Sequence, residues 1–233
     1  MTKDRVPADG SGAMFDAIAP RYDLLNRVLS LGIDRSWRRR AVRQLACVDG
    51  GLYLDLACGT ADVALTLLAT QDRARVVGLD PSLGMLRQAA RKGLPVDSAT
   101  LLLGAAAGEN LPLRDASVHG AIMAFGIRNA VDRLACLREL GRVVRPGGRV
   151  VVLELGEPRG PSGVLYRAYF RGVAPVLGGL LSRGTAYRYL TQSVAAFPEP
   201  EAFAALLRQA GLQLLGVERL TLGAAHIYTA QRP

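Results

Sequence analysis

The sequence predicts an α/β fold built on a parallel, doubly wound sheet. Three observations carry this reading. A strand, a glycine turn, a helix and a second strand follow one another between Tyr53 and Asp80. Short apolar runs then alternate with helical patterns as far as residue 155, and Arg145-Pro146-Gly147-Gly148 marks a sharp turn into one more apolar run. Strands separated by helices cannot close as hairpins; crossovers join them and set them parallel.

A helical prelude comes first, over Met14 to Ile18 and Tyr22 to Leu31. A helix from Asp34 to Leu45 follows, in which Trp37, Ala41 and Leu45 recur at i, i+4 and i+8. Strand 52–57 is apolar enough to be buried, and Cys58-Gly59-Thr60-Ala61-Asp62 breaks it before a helix over 60–69. Strand 75–80, helix 81–92, strands 99–103 and 118–124, helix 130–143 and strand 149–155 continue the alternation. Pro81-Ser82 suits a helix start, and Pro146-Gly147-Gly148 suits a helix end and tight turn. The tail adds a helix from Glu199 to Ala210, then strands Leu212 to Leu220 and Ala225 to Gln231, close enough to pair as an antiparallel hairpin. Between Pro161 and Phe197 lies an insertion the sheet does not require. Leu165, Tyr169, Val173, Val176, Leu177, Leu180 and Leu181 form an apolar stripe there, interspersed with Arg167, Arg171 and Arg183. Such a stripe commonly faces a core, whereas Tyr166, Tyr169, Phe170, Tyr187 and Tyr189 favour a lid over an apolar pocket. The chain reads as one domain.

In an open parallel sheet, ligands collect outside the carboxyl ends of the strands, and an acid about 20 residues past the turn accepts ribose hydroxyls. Asp80 ends the second strand at that distance from Gly59. A dinucleotide site needs G-x-G-x-x-G to close on a pyrophosphate, but only Gly59 is present, with Ala57 and Ala61 beside it. Asp55, at the start of the turn, repels a polyanion and suits a ligand carrying an ammonium. S-adenosylmethionine has an ammonium, a sulfonium and a ribose, and Asp55, Gly59 and Asp80 are the residues expected to hold it. The alternative is an ordinary crossover with no ligand.

The chain of 233 residues is half apolar and carries a net charge of +9. No apolar run reaches the roughly 18 residues of a membrane span, and Met1 to Gly12 is polar, so a soluble, cytoplasmic protein is expected. Cys47, Cys58 and Cys136 fall into no C-x-x-C spacing, which points to reduced structural thiols rather than disulfides or zinc. His119 and His226 have no partner at ligand spacing, so no metal site is expected. The positive charge is spread out except at Arg35-Ser36-Trp37-Arg38-Arg39-Arg40, either a solvated face or one that meets an anionic membrane. Nucleic acid is not the expected partner, because an RNA enzyme interleaves basic residues with stacking aromatics, and the aromatics here gather in the apolar insertion.

Several segments together resemble the quinone C-methyltransferases of menaquinone and ubiquinone biosynthesis, the demethylmenaquinone methyltransferase family. They are Met14-Phe15-Asp16-Ala17-Ile18-Ala19-Pro20-Arg21-Tyr22-Asp23 with Leu25-Asn26 and Leu29-Ser30-Leu31-Gly32, then Leu54 to Asp62, Phe125-Gly126-Ile127-Arg128-Asn129, Arg145 to Gly148, and Tyr187-Arg188-Tyr189-Leu190 with Ser193 and Phe197-Pro198. The resemblance spans nearly the whole chain after residue 13. It implies a Rossmann-like, seven-stranded class I methyltransferase sheet with a helical prelude over 13–48 and a lid over 161–197. It also implies S-adenosylmethionine as donor and methylation of a ring carbon in a prenylated quinol. Thr60 and Asp80 match cofactor contacts, and Ala107 and Gly108 occupy the adenine-contacting stretch, with Ala124 nearby. Here the chain departs from the family, which usually has Asp or Asn then Ala at 107 and 108, Ser at 124 and Gly at 61. The expected consequence is a weaker hold on the adenine. Asn129, Tyr187 and Tyr189 match positions expected to meet the quinol.

A ring carbon is a poor nucleophile and needs density pushed from an adjacent hydroxyl, so a fixed cation must hold the developing phenolate. Arg128, after the fourth strand, is the first choice for that role, against a plain ion-pair residue. Arginine does not take up a proton, so water, Asp23, Tyr22 or Glu154 must accept it. The expected acceptor is demethylmenaquinol; a ubiquinone precursor, a phytyl naphthoquinol, an RNA or no acceptor at all are the competing readings. Transient contact with the inner face of the membrane is expected, and a homodimer is compatible with the sequence.

Overall fold

The computed structural model describes residues 10–92, 100–158, 163 and 185–233, with side chains from 14 onward and, in the last segment, from 188. The prelude comprises α1 (Gly10–Ile18), a 3-10 turn (Ala19–Arg21), α2 (Tyr22–Ser30) and α3 (Asp34–Gln44). The sheet region runs β1 (Leu52–Leu56), α4 (Asp62–Thr70), β2 (Arg75–Leu79), α5 (Leu83–Arg91), β3 (Leu101–Gly104), β4 (Val118–Ala124), a 3-10 turn (Ile127–Asn129), α6 (Arg133–Val143) and β5 (Val144–Leu155). After these come α7 (Thr185–Ala195), α8 (Pro200–Gln209), β6 (Gln213–Leu220), a 3-10 turn (Thr221–Gly223) and β7 (Ala225–Gln231).

The seven strands are ordered β3-β2-β1-β4-β5-β7-β6. The first five are parallel, and β7 runs antiparallel to both β5 and β6. The terminal hairpin forms as predicted, but its second strand lies inside and its first at the edge. The reason is apolar content: Ala225 to Ala230 are all buried, whereas β6 buries little besides Leu220 and can face water. Alternate side chains of each strand feed two layers. Leu54, Leu56, Val150 and Val152 pack with Leu137 and Leu140 of α6 and Phe203 of α8. Tyr53, Val76, Val151 and Leu153 pack on the opposite face against Trp37, Ala41 and Val42 of α3 and Val63 and Leu67 of α4.

Boundaries moved where a cap or bulge intervened. Ala61 is left-handed (φ 65°), so α4 starts at Asp62 rather than 60. Ser82 Oγ accepts from Met85 N at 3.1 Å and starts α5 at Leu83; Asp132 Oδ1 accepts from Ala135 N at 2.9 Å and starts α6 at Arg133. The predicted tight turn at Arg145 to Gly148 is instead a bulge inside β5: Val144 pairs with Val118, Arg149 with Gly120, and the residues between are looped out. Gly148 suits this bulge because a Cβ there would fall 2.5 Å from His119 O. Of the insertion, α7 is described; the stripe from Leu165 to Leu181 and the aromatics Tyr166, Tyr169 and Phe170 lie outside the described residues.

Candidate active site

β1 pairs with β2 on one side and β4 on the other, so the strand order reverses there and a crevice opens beyond their carboxyl ends. The chain turns there through left-handed residues: Ala57 (φ 55°), Gly59 (φ 56°), Ala61 (φ 65°) and, after β4, Phe125 (φ 59°). Three of these are not glycine and each costs roughly 1–2 kcal/mol, a strain that the surrounding packing must hold. Gly126 follows Phe125 because a Cβ at 126 would sit 2.5 Å from Cβ of Ala57, joining the β1 and β4 turns back to back.

Two carboxylates line the turn. Asp80 accepts from Gly59 N and Ser82 N, both at 2.8 Å, one on each oxygen, which leaves a lone pair on each for ribose hydroxyls. Burial pushes its carboxyl up, against those two amide bonds. Asp55 is 1% exposed; its Oδ2 accepts from Ala64 N at 2.9 Å, while Oδ1 is buried without a partner. Burial, aided by the charge of Asp80, pushes its carboxyl up to about 8. A buried carboxylate oxygen lacking a donor fits the ammonium of S-adenosylmethionine, so the residues present match that cofactor. The nearest atom to where a side chain on Gly59 would begin is Tyr22 Cε1, at 3.8 Å.

The prelude is clamped over this turn. Thr60 Oγ1 donates to Asp23 Oδ1 at 2.6 Å and accepts from Lys92 Nζ at 2.8 Å; Lys92 also pairs with Asp23 at 2.7 Å and Asp62 at 2.5 Å. Burial works to raise Asp23, but the hydrogen bonds from Lys92 and Thr60 outweigh it and hold the carboxyl below its ordinary value, so it persists as an anion and is a weak proton acceptor. A second clasp sets Asp16 Oδ1 on Ser82 Oγ (2.6 Å) and Gly84 N (2.7 Å). Lys92 was not foreseen. The available signal was its rarity: it is one of two lysines among 29 basic residues, and a compact ammonium, unlike a planar guanidinium, can sit among three oxygens.

Beside the turn lies an apolar cavity of about 190 Å³, walled by Tyr22, Leu29, Trp37, Phe125, Leu155 and Leu190 among others, with Arg128 on its wall. Arg128 is 6% exposed; its Nη1 donates to Glu154 Oε1 at 2.7 Å and to Phe125 O at 2.6 Å, while its Nε is buried without a partner. Glu154 is fully buried and also accepts from the backbone N of Arg128 (3.2 Å) and of Leu155 (2.8 Å). A buried ion pair thus fixes the guanidinium at the cavity. Tyr189 Oη donates to Asn129 Oδ1 at 3.0 Å, and Phe15 stands edge-on between Tyr189 (6.4 Å) and Tyr22 (6.1 Å). The side chain of Tyr187 lies outside the described residues. On the adenine side, Ala106 N donates to Asp80 O at 3.3 Å, which sets the loop of Ala107 and Gly108 beside Asp80. Ala107 is exposed, Ala124 half-buried, and a Cβ on Gly108 would meet Cys136 Sγ at 2.7 Å. Gly108 is therefore a packing necessity of this chain. Burial pushes the thiols of Cys58 and Cys136 up, that of Cys136 to about 12, so neither is a nucleophile at neutral pH.

Sheet order, the reversal at β1 and β4, and the acid-lined glycine turn define the class I methyltransferase fold. The chain superposes on an S-adenosylmethionine-dependent methyltransferase of Thermotoga maritima, described as a possible histamine N-methyltransferase, with a TM-score of 0.65 at 20% identity over 95% of this chain and 99% of the other. It superposes equally on the [4+2]-cyclase SpnF, with a TM-score of 0.69 at 17% identity over 96% and 95% of the two chains, so the fold alone does not fix the reaction. Residues 4–232 match the model of the ubiE/COQ5 methyltransferase family. The chain belongs to that family, and membership implies use of S-adenosylmethionine. It is 48% identical to a ubiquinone/menaquinone biosynthesis C-methyltransferase UbiE of Syntrophotalea carbinolica, over all of this chain and 98% of the relative. It is 47% identical to the demethylmenaquinone methyltransferase of Thermus thermophilus, over 94% of this chain and all of that one.

Proposed function

We propose that this protein methylates a ring carbon of a prenylated naphthoquinol, demethylmenaquinol becoming menaquinol, at the cavity beside the β1 turn. The observation that carries the reading is Arg128, whose buried Nε has no partner, in the wall of a largely apolar cavity that shares Tyr22 with the cofactor turn. Relatives named for demethylmenaquinone, from Thermus thermophilus and Deinococcus radiodurans, favour the naphthoquinol over a ubiquinone precursor.

S-adenosylmethionine supplies the methyl group. Asp55 Oδ1 takes its ammonium, Asp80 its ribose hydroxyls, and the loop of Ala107 and Gly108 with Ala124 flanks its adenine. Thr60 acts through Asp23 and Lys92 by holding the prelude closed, which excludes water and orients the acceptor. Arg128, locked by Glu154, presents Nε to the quinol oxygen and stabilises the phenolate that activates the neighbouring carbon. Asn129 and Tyr189, hydrogen-bonded to one another, and Tyr187 are the polar residues assigned to the quinol. With Asp23 and Glu154 each held in an ion pair, the proton released from the ring carbon goes to water or to the phenol of Tyr22 relaying it outward.

The test is incubation with labelled S-adenosylmethionine and a panel of reduced demethylmenaquinol, ubiquinone precursor and phytyl naphthoquinol, with tRNA alongside. Label in demethylmenaquinol is expected; label in tRNA alone, or binding without transfer to any acceptor, refutes the proposal.

A further inference from the structure

The cavity wall holds a second guanidinium. Arg38 stands on α3 in a run of arginines that the sequence reads as a solvated or membrane-facing surface, yet it is buried and lines the cavity together with Arg128. Its partner is Asp34, one helical turn earlier and also buried at the cavity wall. Asp34 Oδ2 accepts from Arg38 Nη1, and Asp34 Oδ1 accepts from Ser30 Oγ at 2.8 Å. The arrangement repeats that of Arg128, whose Nη1 is held by the buried Glu154. Both cations meet Phe125: Arg128 Nη1 donates to its carbonyl oxygen at 2.6 Å, and the guanidinium carbon of Arg38 lies 5.3 Å from its ring centroid. One residue thus stands between the two guanidiniums, with the first at its backbone and the second on its ring.

A buried ion pair is a poor source of stability, because an apolar replacement of similar volume is often neutral or better. Two such pairs beside one largely apolar cavity therefore call for a reason in the ligand. Arg38 Nη1 faces Asp34 and, at 3.8 Å, Asp62, while Nε and Nη2 make no hydrogen bond among the described residues. A guanidinium carries five N–H donors and no acceptor, so the remaining donors need an oxygen. Charge separates the roles of the two arginines. Arg128 has one carboxylate against it and Arg38 has two, so a further anion at Arg38 would be repelled by Asp34 and Asp62, whereas a neutral hydroxyl would not. Arg128 suits the oxygen that becomes a phenolate, and Arg38 suits one that keeps its proton.

We infer that Arg38 is a specificity-determining residue that donates a hydrogen bond to the second oxygen of a 1,4-quinol while Arg128 takes the first. This deepens the quinol reading and rests on it for the ligand. The two oxygens stand at opposite ends of one ring, and holding both fixes the axis of that ring against the methyl donor. The prenylated carbon cannot accept a methyl group, so the productive pose is the one that sets the bare carbon beside the oxygen on Arg128. A site built to hydrogen-bond a substrate oxygen rejects the analogue that lacks it, because its donors are then left unpaired. The rival acceptor is the carboxylate of the cofactor, since Asp62 opens α4 just past the cofactor turn; the two acids already at Arg38 argue against it.

The experiment compares a short-tailed 1,4-naphthoquinol with the same ring lacking the hydroxyl farther from the carbon that is methylated, both under anaerobic reducing conditions. Calorimetry with S-adenosylhomocysteine present measures binding, and methylation is followed separately. The wild type is expected to bind the quinol roughly 10- to 150-fold more tightly than the monohydroxy ring, the worth of one hydrogen bond from a charged donor. Arg38→Met with Asp34→Asn, which strands no carboxylate, is expected to bring that ratio close to one, raising KM for the quinol more than it lowers kcat and leaving the Kd for S-adenosylmethionine unchanged. A purely structural role would weaken both rings alike and keep the ratio. Should the double variant fail to fold, Arg38→Lys decides: its compact ammonium, taken up by Asp34 and Asp62, presents no fork to the cavity, and the ratio is expected to fall. Arg40→Gln, from an exposed pair with Glu218 on the same helix, serves as control and leaves the ratio unchanged. A wild-type ratio near one, or a ratio that the variants preserve, overturns the inference, while methylation of the quinol leaves the substrate reading standing. A loss confined to cofactor affinity assigns Arg38 to the cofactor carboxylate and also overturns it. Selective quinol binding that needs Arg38, with no methylation of any quinol, supports the inference and removes the methyl-transfer reading alone; no binding of either ring overturns both.

Discussion

Replacing Asp55 by asparagine separates what the cofactor needs from what the fold tolerates. In the folded chain burial pushes the Asp55 carboxyl from 3.8 up to about 8. The native state therefore holds a proton there that the unfolded chain has released, and stability must fall as pH rises between those values. At about 1.4 kcal/mol per pH unit, the loss at pH 7 is on the order of 4 kcal/mol. Asparagine mimics the neutral carboxyl and keeps the bond from Ala64 N, so Asp55→Asn should match the wild type near pH 4 and exceed it increasingly toward pH 8. Urea titrations across that range measure the difference. The same substitution removes the anion that meets the cofactor ammonium, and calorimetry should show affinity for S-adenosylmethionine falling by roughly 10- to 150-fold, the worth of one charged hydrogen bond. In the wild type, cofactor binding at pH 7 should release close to one proton, read from binding heats in buffers of different ionisation enthalpy. A stability difference that does not change with pH, together with no proton release, refutes the account of Asp55.

Arg128→Ala should cost about 3–5 kcal/mol of stability by stranding Glu154, so the informative kinetic variant is Arg128→Lys; it should lower kcat with cofactor Kd largely intact, and unchanged kcat removes Arg128 from the mechanism. Gly108→Ala should destabilise by about 1–3 kcal/mol against Cys136, and a cycle with Cys136→Ala measured by urea unfolding should show the two substitutions coupled; additivity refutes the packing explanation. Lys92→Met should free α2 from the turn, seen as faster amide exchange over residues 22–30 without faster exchange in β1; unchanged exchange in α2 means that Lys92 is not the clamp.

Strand and helix succession was legible because period and punctuation are local: Gly59, Pro81-Ser82 and the buried apolar runs each act within a few residues. The boundary errors came from features a linear pattern does not encode. Ala61 adopts a left-handed cap where glycine is usual, and Arg145 to Gly148, chemically a turn, becomes a bulge because Val144 pairs with Val118 first. Asp55 and Asp80 could be named from spacing, but not that one oxygen of Asp55 is buried without a donor. Arg38 looked like surface charge because helical periodicity alone does not reveal that Asp34 and Phe125 cover it.

By itself the sequence determined the parallel alternation, the acid-flanked glycine turn that excludes a dinucleotide, and the family, because each is written in short-range patterns of polarity and residue type. Only the tertiary structure decided that β7 rather than β6 lies against β5, that Lys92 clamps Asp23 and Thr60 over the turn, that Glu154 pins Arg128, and that Trp37 bonds Thr221 beside the cavity. Those contacts join residues tens to nearly two hundred positions apart, and they form only when burial of two apolar layers on one sheet brings the distant segments together.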